Sequence, residues 1–264
     1  MTYIGVIIMP NLIKTRGIVL KHTYLGEADK IITLFTDSLG KVQAVAHGAR
    51  KAKSKLMSST QAFAYCEFVL YKGKSLYTVS QTEIKASFQV LLNDLHTLTY
   101  SSYLMELVDV LILEGEENIE LFSLLLKTLY LMTEGNLDKE LIVRAFELKA
   151  ISQSGYMPQF DNCILCGSSL NLIKFSSRLG GVLCSKCSEN DRFAVKIDLP
   201  SVNTMKFFIK NHIEKVRVLK INLSIKNYMK KIMKNYIKYH LDKDFKSLDF
   251  LDEITNMDEL EGVE

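Results

Sequence analysis

The chain has 264 residues, 48% of them hydrophobic, which is enough for a sizeable core and for two or three small domains. No apolar run approaches the ~18 residues of a membrane-spanning helix. The stretch Met1 to Met9 also lacks the basic region and small-residue cleavage site of a secretory signal, so a cytosolic chain with no membrane partner is expected.

The net charge of +3 conceals a segregation: +7 over residues 1–85, −7 over 86–160, +1 over 161–200, +9 over 201–248 and −7 over 249–264. Two basic regions around an acidic middle point to an anionic partner.

From Arg16 to Gln81 the pattern is β. Arg16–His22, Lys30–Thr36 and Lys41–His47 are short and β-branched, and turn residues such as Asp37 to Gly40 separate them. Ala62–Tyr71 and Ser75–Ser80 follow, joined at Gly73. Five strands in this length predict a small closed barrel, of which the OB-fold is the five-stranded example that binds single strands. An SH3-like barrel fits the pattern as well.

Between the third and fourth strands, Arg50, Lys51, Lys53 and Lys55 stand among Gly, Ala and Ser. This reads as a mobile basic arm suited to a phosphate backbone, and it leaves a barrel that already carries Arg16, Lys21, Lys30 and Lys41. Gly73-Lys74-Ser75 imitates the end of a phosphate-binding loop. The required earlier glycine is Phe68, and a strand rather than a helix follows, so it is a turn.

Near Ser87 the period changes. Leu104, Leu107, Val108 and Leu111, then Phe122, Leu125, Leu126 and Leu129, then Leu141, Ala145 and Leu148 mark three helices. The short breaks at 114–118 and 134–138 predict an antiparallel bundle.

Cys163, Cys166, Cys184 and Cys187 then form two C-x2-C knuckles 17 residues apart, which is the four-thiolate zinc pattern. Two disulfides would require an oxidising compartment, to which the sequence shows no route. Gly180-Gly181 in the spacer predicts a hairpin, hence a zinc ribbon. Four thiolates fill the coordination shell, so a single Zn2+ would be structural.

Beyond it, Val202 to His212 and Ser224 to His240 read as helices. On the second, Ile225, Tyr228, Met229, Ile232 and Tyr236 share one face. Lys226, Lys230, Lys234 and Lys238 line a neighbouring face with no acidic i+4 partners inside the helix. That stripe is read as either a solubilising face or a nucleic-acid contact. The stretch 249–264 has seven acidic residues and no basic one, and reads as a solvated tail.

Enzymatic signatures are missing. The five histidines form no metal-binding pair, His212-Ile-Glu214 falls after the cysteines instead of before them, and there is no nucleophile elbow or dinucleotide fingerprint. No catalytic residue is assigned, and a non-enzymatic chain is expected.

Several stretches together resemble the bacterial recombination mediator family RecO. They are Gly17 to Lys21, Gly26 to Ile31, Thr33 to Thr36, Gly40 to Val42, Ala46 to Lys51, Leu70 to Tyr77, the four cysteines with Gly180 to Cys184, and His240 to Leu248. The resemblance spans roughly residues 14–251. It implies an α+β chain in which an N-terminal five-stranded OB-like β-barrel precedes a helical domain with an inserted four-cysteine zinc ribbon. The expected segments are an OB domain at 1–85, a helical bundle at 86–160, the zinc segment at 161–192, C-terminal helices at 193–248 and the acidic tail at 249–264.

It further implies a DNA-binding recombination mediator in the cytoplasm, associated with the nucleoid. Such a protein binds single- and double-stranded DNA, anneals complementary strands and contacts RecR and single-strand-binding protein while RecA is loaded. Arg16, Lys30, Lys41, Arg50 and Lys51 match the family's DNA role; Lys53, Lys55, Lys226, Lys230 and Lys234 join them on charge. The alternatives are a sequence-specific zinc-ribbon regulator and a protein-interaction hub. The apolar start departs from the family pattern, and Met9 is an alternative beginning.

Overall fold

The computed structural model describes residues 11–261, except the side chains of residue 252 and residues 255–261. The apolar start and the alternative beginning at Met9 lie outside the described residues. Five strands open the chain: β1 (Leu12–Leu25), β2 (Asp29–Thr36), β3 (Gly40–Ala46), β4 (Ala64–Lys72) and β5 (Tyr77–Ser87), with a single helical turn, α1 (Leu56–Ser59), between β3 and β4.

The strands close into a barrel in the order β1-β2-β3-β5-β4. β1 has 14 residues and serves two partners. Its first half runs antiparallel to β4 from Leu12 to Ile18, and its second half pairs β2 from Gly17 to Leu25, with a bulge between Val19 and Lys21. A bulge re-aims a strand, which is how one strand turns the corner of a barrel. β3 meets β5 in parallel at Ala44–Tyr77 and Val45–Thr78. This order, with its crossover through α1, is OB-like and decides against the SH3-like alternative.

Val19, Ile32, Leu34, Val42, Phe68 and Leu70 fill the interior. Phe35 lies on the other side of β2 and is fully buried, its ring edge-on to Phe122 with centroids 5.4 Å apart.

The chain divides into two units. The first holds the described residues to Val90 together with Ile112–Phe122; the second holds Leu91–Leu111 and the residues from Ser123 onward. The sequence places 112–122 in the helical part. In the structure Gly115 N–H donates to Lys41 O at 2.9 Å, and Glu116 crosses over Gly40 so closely that an added Cβ there would lie 2.0 Å from Glu116 O. Gly40 also holds φ +63°, so glycine is required twice over.

The second unit contains α2 (Leu95–Leu111), α3 (Ile119–Thr133, from Ser123), α4 (Lys139–Gln153), α5 (Leu199–Lys210), α6 (Leu223–Leu241) and α7 (Lys246–Glu261). Short polar side chains start several of them. Asp94, Asn118, Asp138, Asp198 and Asn222 each accept a backbone N–H three residues on, at 2.7–3.1 Å.

α4 is central and packs against α2, α5 and α6. Every residue from Leu141 to Leu148 is buried, including Arg144 and Glu147. Arg144 Nη1 donates to Glu147 Oε1 at 2.9 Å, and the Tyr103 hydroxyl donates to the same oxygen at 2.7 Å.

The expectation of a solvated tail from residue 249 needs correction. As far as residue 261 that stretch continues α7, which packs on α2 with Leu251 and Ile254 buried, while Ser247 Oγ donates to Glu106 Oε2 at 2.8 Å. The leucine and isoleucine sit three apart, so one helical face is apolar despite the acidic composition.

Candidate nucleic-acid interface and metal centre

The connection from β3 to α1 starts at the tip of the β1–β2 hairpin. The Asp29 carboxylate is its staple: Oδ1 accepts Gly48 N–H at 2.7 Å, and Oδ2 lies 2.7 Å from His47 Nδ1. The Gly48 amide, then His47, hold Asp29 below the usual carboxylate range. Arg50 is fastened beside it. Its N–H donates to Ala28 O at 2.9 Å, its Nη1 donates to Gly26 O at 2.6 Å, and its guanidinium carbon lies 4.2 Å from the Tyr24 ring centroid.

The chain then winds through consecutive turns, with Lys51 N–H donating to Gly48 O at 3.1 Å and Ser54 N–H to Lys51 O at 2.9 Å. Lys51, Lys53 and Lys55 are exposed on these turns. The predicted basic arm is therefore present, but it is a hydrogen-bonded rim of the barrel. Asp29 belongs to the Gly26–Ile31 stretch singled out in the sequence. No local pattern marks its role there, because its partners His47 and Gly48 come 18 and 19 residues later in the chain.

The other barrel cations expected at the interface, Arg16, Lys30 and Lys41, are less available. Arg16 pairs with Asp37, Nε to Oδ2, at 2.7 Å. Lys41 is engaged within the fold. Lys30 is a correction: only 3% of it is exposed, and its Nζ donates to Thr60 Oγ1 at 3.3 Å. Burial, with repulsion from Arg50, lowers its pKa. A side chain so enclosed has no surface to offer a phosphate.

Within the lysine stripe of α6, Lys226 also needs correction. Lys226 Nζ lies 2.9 Å from Asp138 Oδ2 and 3.6 Å from Glu140 Oε2, so its partners come from the start of α4 and not from its own helix. Lys230 exerts its charge on the buried Glu147, and Lys230 and Lys234 are both engaged within the fold. Lys238 pairs with Asp244 at 2.7 Å. Lys226 thus ties α6 to the start of α4. The apolar face holds Met229, Ile232 and Tyr236 as read, with Met233 and Ile237 added.

The four cysteines come together as the spacing predicts, their sulfurs all within 4.8 Å of one another. The hairpin is β6 (Leu172–Ser176) with β7 (Gly181–Cys184), and β8 (Val195–Lys196) joins it on the other side of β6. Each knuckle is closed by its own backbone: Gly167 N–H donates to Cys163 O at 2.8 Å and Cys187 N–H to Cys184 O at 3.0 Å.

A tetrahedral ion with metal–sulfur bonds of about 2.3 Å would put its ligands about 3.8 Å apart. Cys166 and Cys184 Sγ are 3.7 Å apart, so the residues fit a metal ion. The electrostatics agree. Burial opposes ionisation of Cys163, but the backbone N–H groups of Cys184, Cys166 and Leu165 bring its pKa down to about 6. Desolvation and the neighbouring sulfurs push Cys187 up to about 12. Neighbouring sulfurs thus resist ionising together, and a cation among them would relieve that repulsion.

The ribbon is anchored to α6 by aromatic rings. Phe175 stacks on Phe160 with centroids 5.3 Å apart and tilts against Tyr236 at 5.9 Å, and His240 Nε2 lies 3.0 Å from Ser177 O.

Comparison with known proteins gives the family. The family model described as Recombination protein O N terminal matches residues 9–88, and the one described as Recombination protein O C terminal matches residues 92–249. The chain belongs to the RecO family of DNA repair proteins.

A DNA repair protein RecO of Alkaliphilus metalliredigens is 42% identical over 245 residues, 92% of this chain and 100% of that protein. One of Acetivibrio thermocellus is 38% identical over 91% of this chain and 96% of its own length. The RecO protein of Clostridium novyi is 37% identical over 90% and 93%. The two RecO family models meet between residues 88 and 92, where the barrel unit passes into the helical unit after Val90.

Proposed function

We propose that this chain is a DNA-binding recombination mediator that acts by holding strands and not by bond chemistry. It would bind single- and double-stranded DNA, anneal complementary strands and, with RecR and single-strand-binding protein, help RecA onto DNA in the cytoplasm and at the nucleoid. Family membership supports the class of function. The observation that carries the DNA reading is the exposed basic rim Arg50, Lys51, Lys53 and Lys55, strapped to the tip of the β1–β2 hairpin.

In OB-folds that hairpin borders the oligonucleotide-binding face. Each lysine that neutralises a phosphate releases condensed counterions, and neutralising two strands lowers the repulsion that opposes their pairing. Lys30 and Lys226 have no part in this interface; Arg16 would contribute only at its edge, since Asp37 already holds it. The cysteine cluster would hold one Zn2+ through Cys163, Cys166, Cys184 and Cys187. When bound, the ion would clip the ribbon strands together and leave no open position for a substrate.

The test is annealing of complementary oligonucleotides, bare and coated with single-strand-binding protein, across a salt series. The unmodified chain is expected to accelerate annealing and to bind with a steep salt dependence. The combined Lys51→Ala, Lys53→Ala and Lys55→Ala variant is expected to lose about 2 units of the log–log salt slope on single strands. An unchanged slope would favour a protein-interaction hub, and a strong preference for one duplex sequence would favour a regulator.

A further inference from the structure

The aromatic side chains that chemistry would choose for stacking unpaired bases are sorted sharply by the barrel. Phe35 is fully buried, and Tyr71 pairs with Leu12 at the opposite end of β1 from the basic rim. Tyr24 differs from both. It lies near the tip of the β1–β2 hairpin, two residues before Gly26, and 66% of it is exposed.

Its ring carries the Arg50 guanidinium 4.2 Å from its centroid, and that guanidinium is itself fixed by Gly26 O. The main chain of Arg50 is pinned to Ala28 O, so ring and cation are held together before any ligand arrives. Lys51, Lys53 and Lys55 follow directly along the chain. An exposed aromatic ring braced by an arginine at the head of a lysine row has the parts of a single-strand platform, in which cations track phosphates and a π-face takes a base.

Building on the DNA reading above, we infer that Tyr24, braced by Arg50, is the residue on which this protein stacks an unpaired base. Bases in a duplex are already stacked on their neighbours and have no face to give, so this contact favours single strands over duplex. It is also released when the strand pairs. The strand would therefore be held in an extended, base-exposed form and let go as the duplex forms, which is the behaviour annealing requires. The lysines supply affinity for any phosphate chain, and the tyrosine supplies the preference for unpaired strands.

The experiment uses the full chain with three ligands of equal phosphate number: oligo(dT), an oligonucleotide of the same length with abasic residues, and a duplex. Tyr24→Ala is expected to weaken oligo(dT) binding by about 5- to 150-fold, the range for loss of one stacked base. It should leave the abasic strand, the duplex and the salt slope unchanged, and Tyr24→Phe should bind like the unmodified chain.

The sequence contains no tryptophan, so Tyr24→Trp places a single indole at the site. Its fluorescence should be quenched by oligo(dT) and not by the abasic strand, a reading that holds even if the alanine variant folds poorly. Equal losses on oligo(dT) and the abasic strand, or an unquenched indole with tight oligo(dT) binding, would overturn the assignment while leaving the basic rim intact. Absence of salt-dependent binding by the unmodified chain to any of the three ligands would overturn the DNA reading and this inference together.

Discussion

Lys30 and Lys51 carry the same charge and belong to the same barrel unit, yet only one reaches solvent. Lys51 stands exposed on a turn. Lys30 is enclosed and gives its ammonium to the Thr60 hydroxyl. Removing it should therefore affect folding before binding. Lys30→Met is expected to leave the single-strand affinity and salt slope as they are, checked by fluorescence anisotropy across a salt series; a slope shallower by about 0.7 would restore it to the interface. Strand alternation did not reveal this difference, because both faces of β2 carry apolar residues, Ile32 and Leu34 on the face of Lys30 and Ile31 and Phe35 on the other.

The helices show how an element's neighbours decide what its sequence means. α4 reads as amphipathic from Leu141, Ala145 and Leu148, but it lies at the centre of the helical unit, so its charged residues are interior as well. Arg144 and Glu147 are 1% and 0% exposed and depend on each other. Breaking a buried pair strands a charge. Glu147→Ala is expected to cost about 3–5 kcal/mol in denaturant unfolding, and the double change Arg144→Met with Glu147→Leu should recover most of it. A loss below about 1 kcal/mol for the single change would mean that water reaches the pair. The α6 lysines follow the same logic: their helical spacing was legible, whereas the carboxylates that receive Lys226 lie on another element.

For the whole molecule, each of the two units carries one of the candidate sites. The basic rim and Tyr24 belong to the barrel unit, and the cysteine cluster belongs to the helical unit, where Phe160, Phe175 and Tyr236 join the ribbon to α6. Stripping metal with a chelator, or changing Cys184→Ser, is expected to lower the thermal midpoint and abolish tight one-to-one zinc binding. Affinity for single strands should persist below that midpoint. Loss of DNA binding by a stripped protein that remains fully folded would place the ribbon at the interface.

The sequence by itself determined the five-stranded barrel, the four-cysteine cluster, the hairpin between the knuckles and the basic turn after β3. Each of these is written in local periodicity or in the spacing of residue types, which short-range sterics and coordination geometry translate directly into structure. Only the tertiary structure decided which cations reach solvent, that Ile112–Phe122 returns to the barrel and that Leu251 and Ile254 bury one face of α7. Burial and ion pairing are set by residues far apart in the chain, as Asp138 and Lys226 are, and no local pattern records which of them will meet.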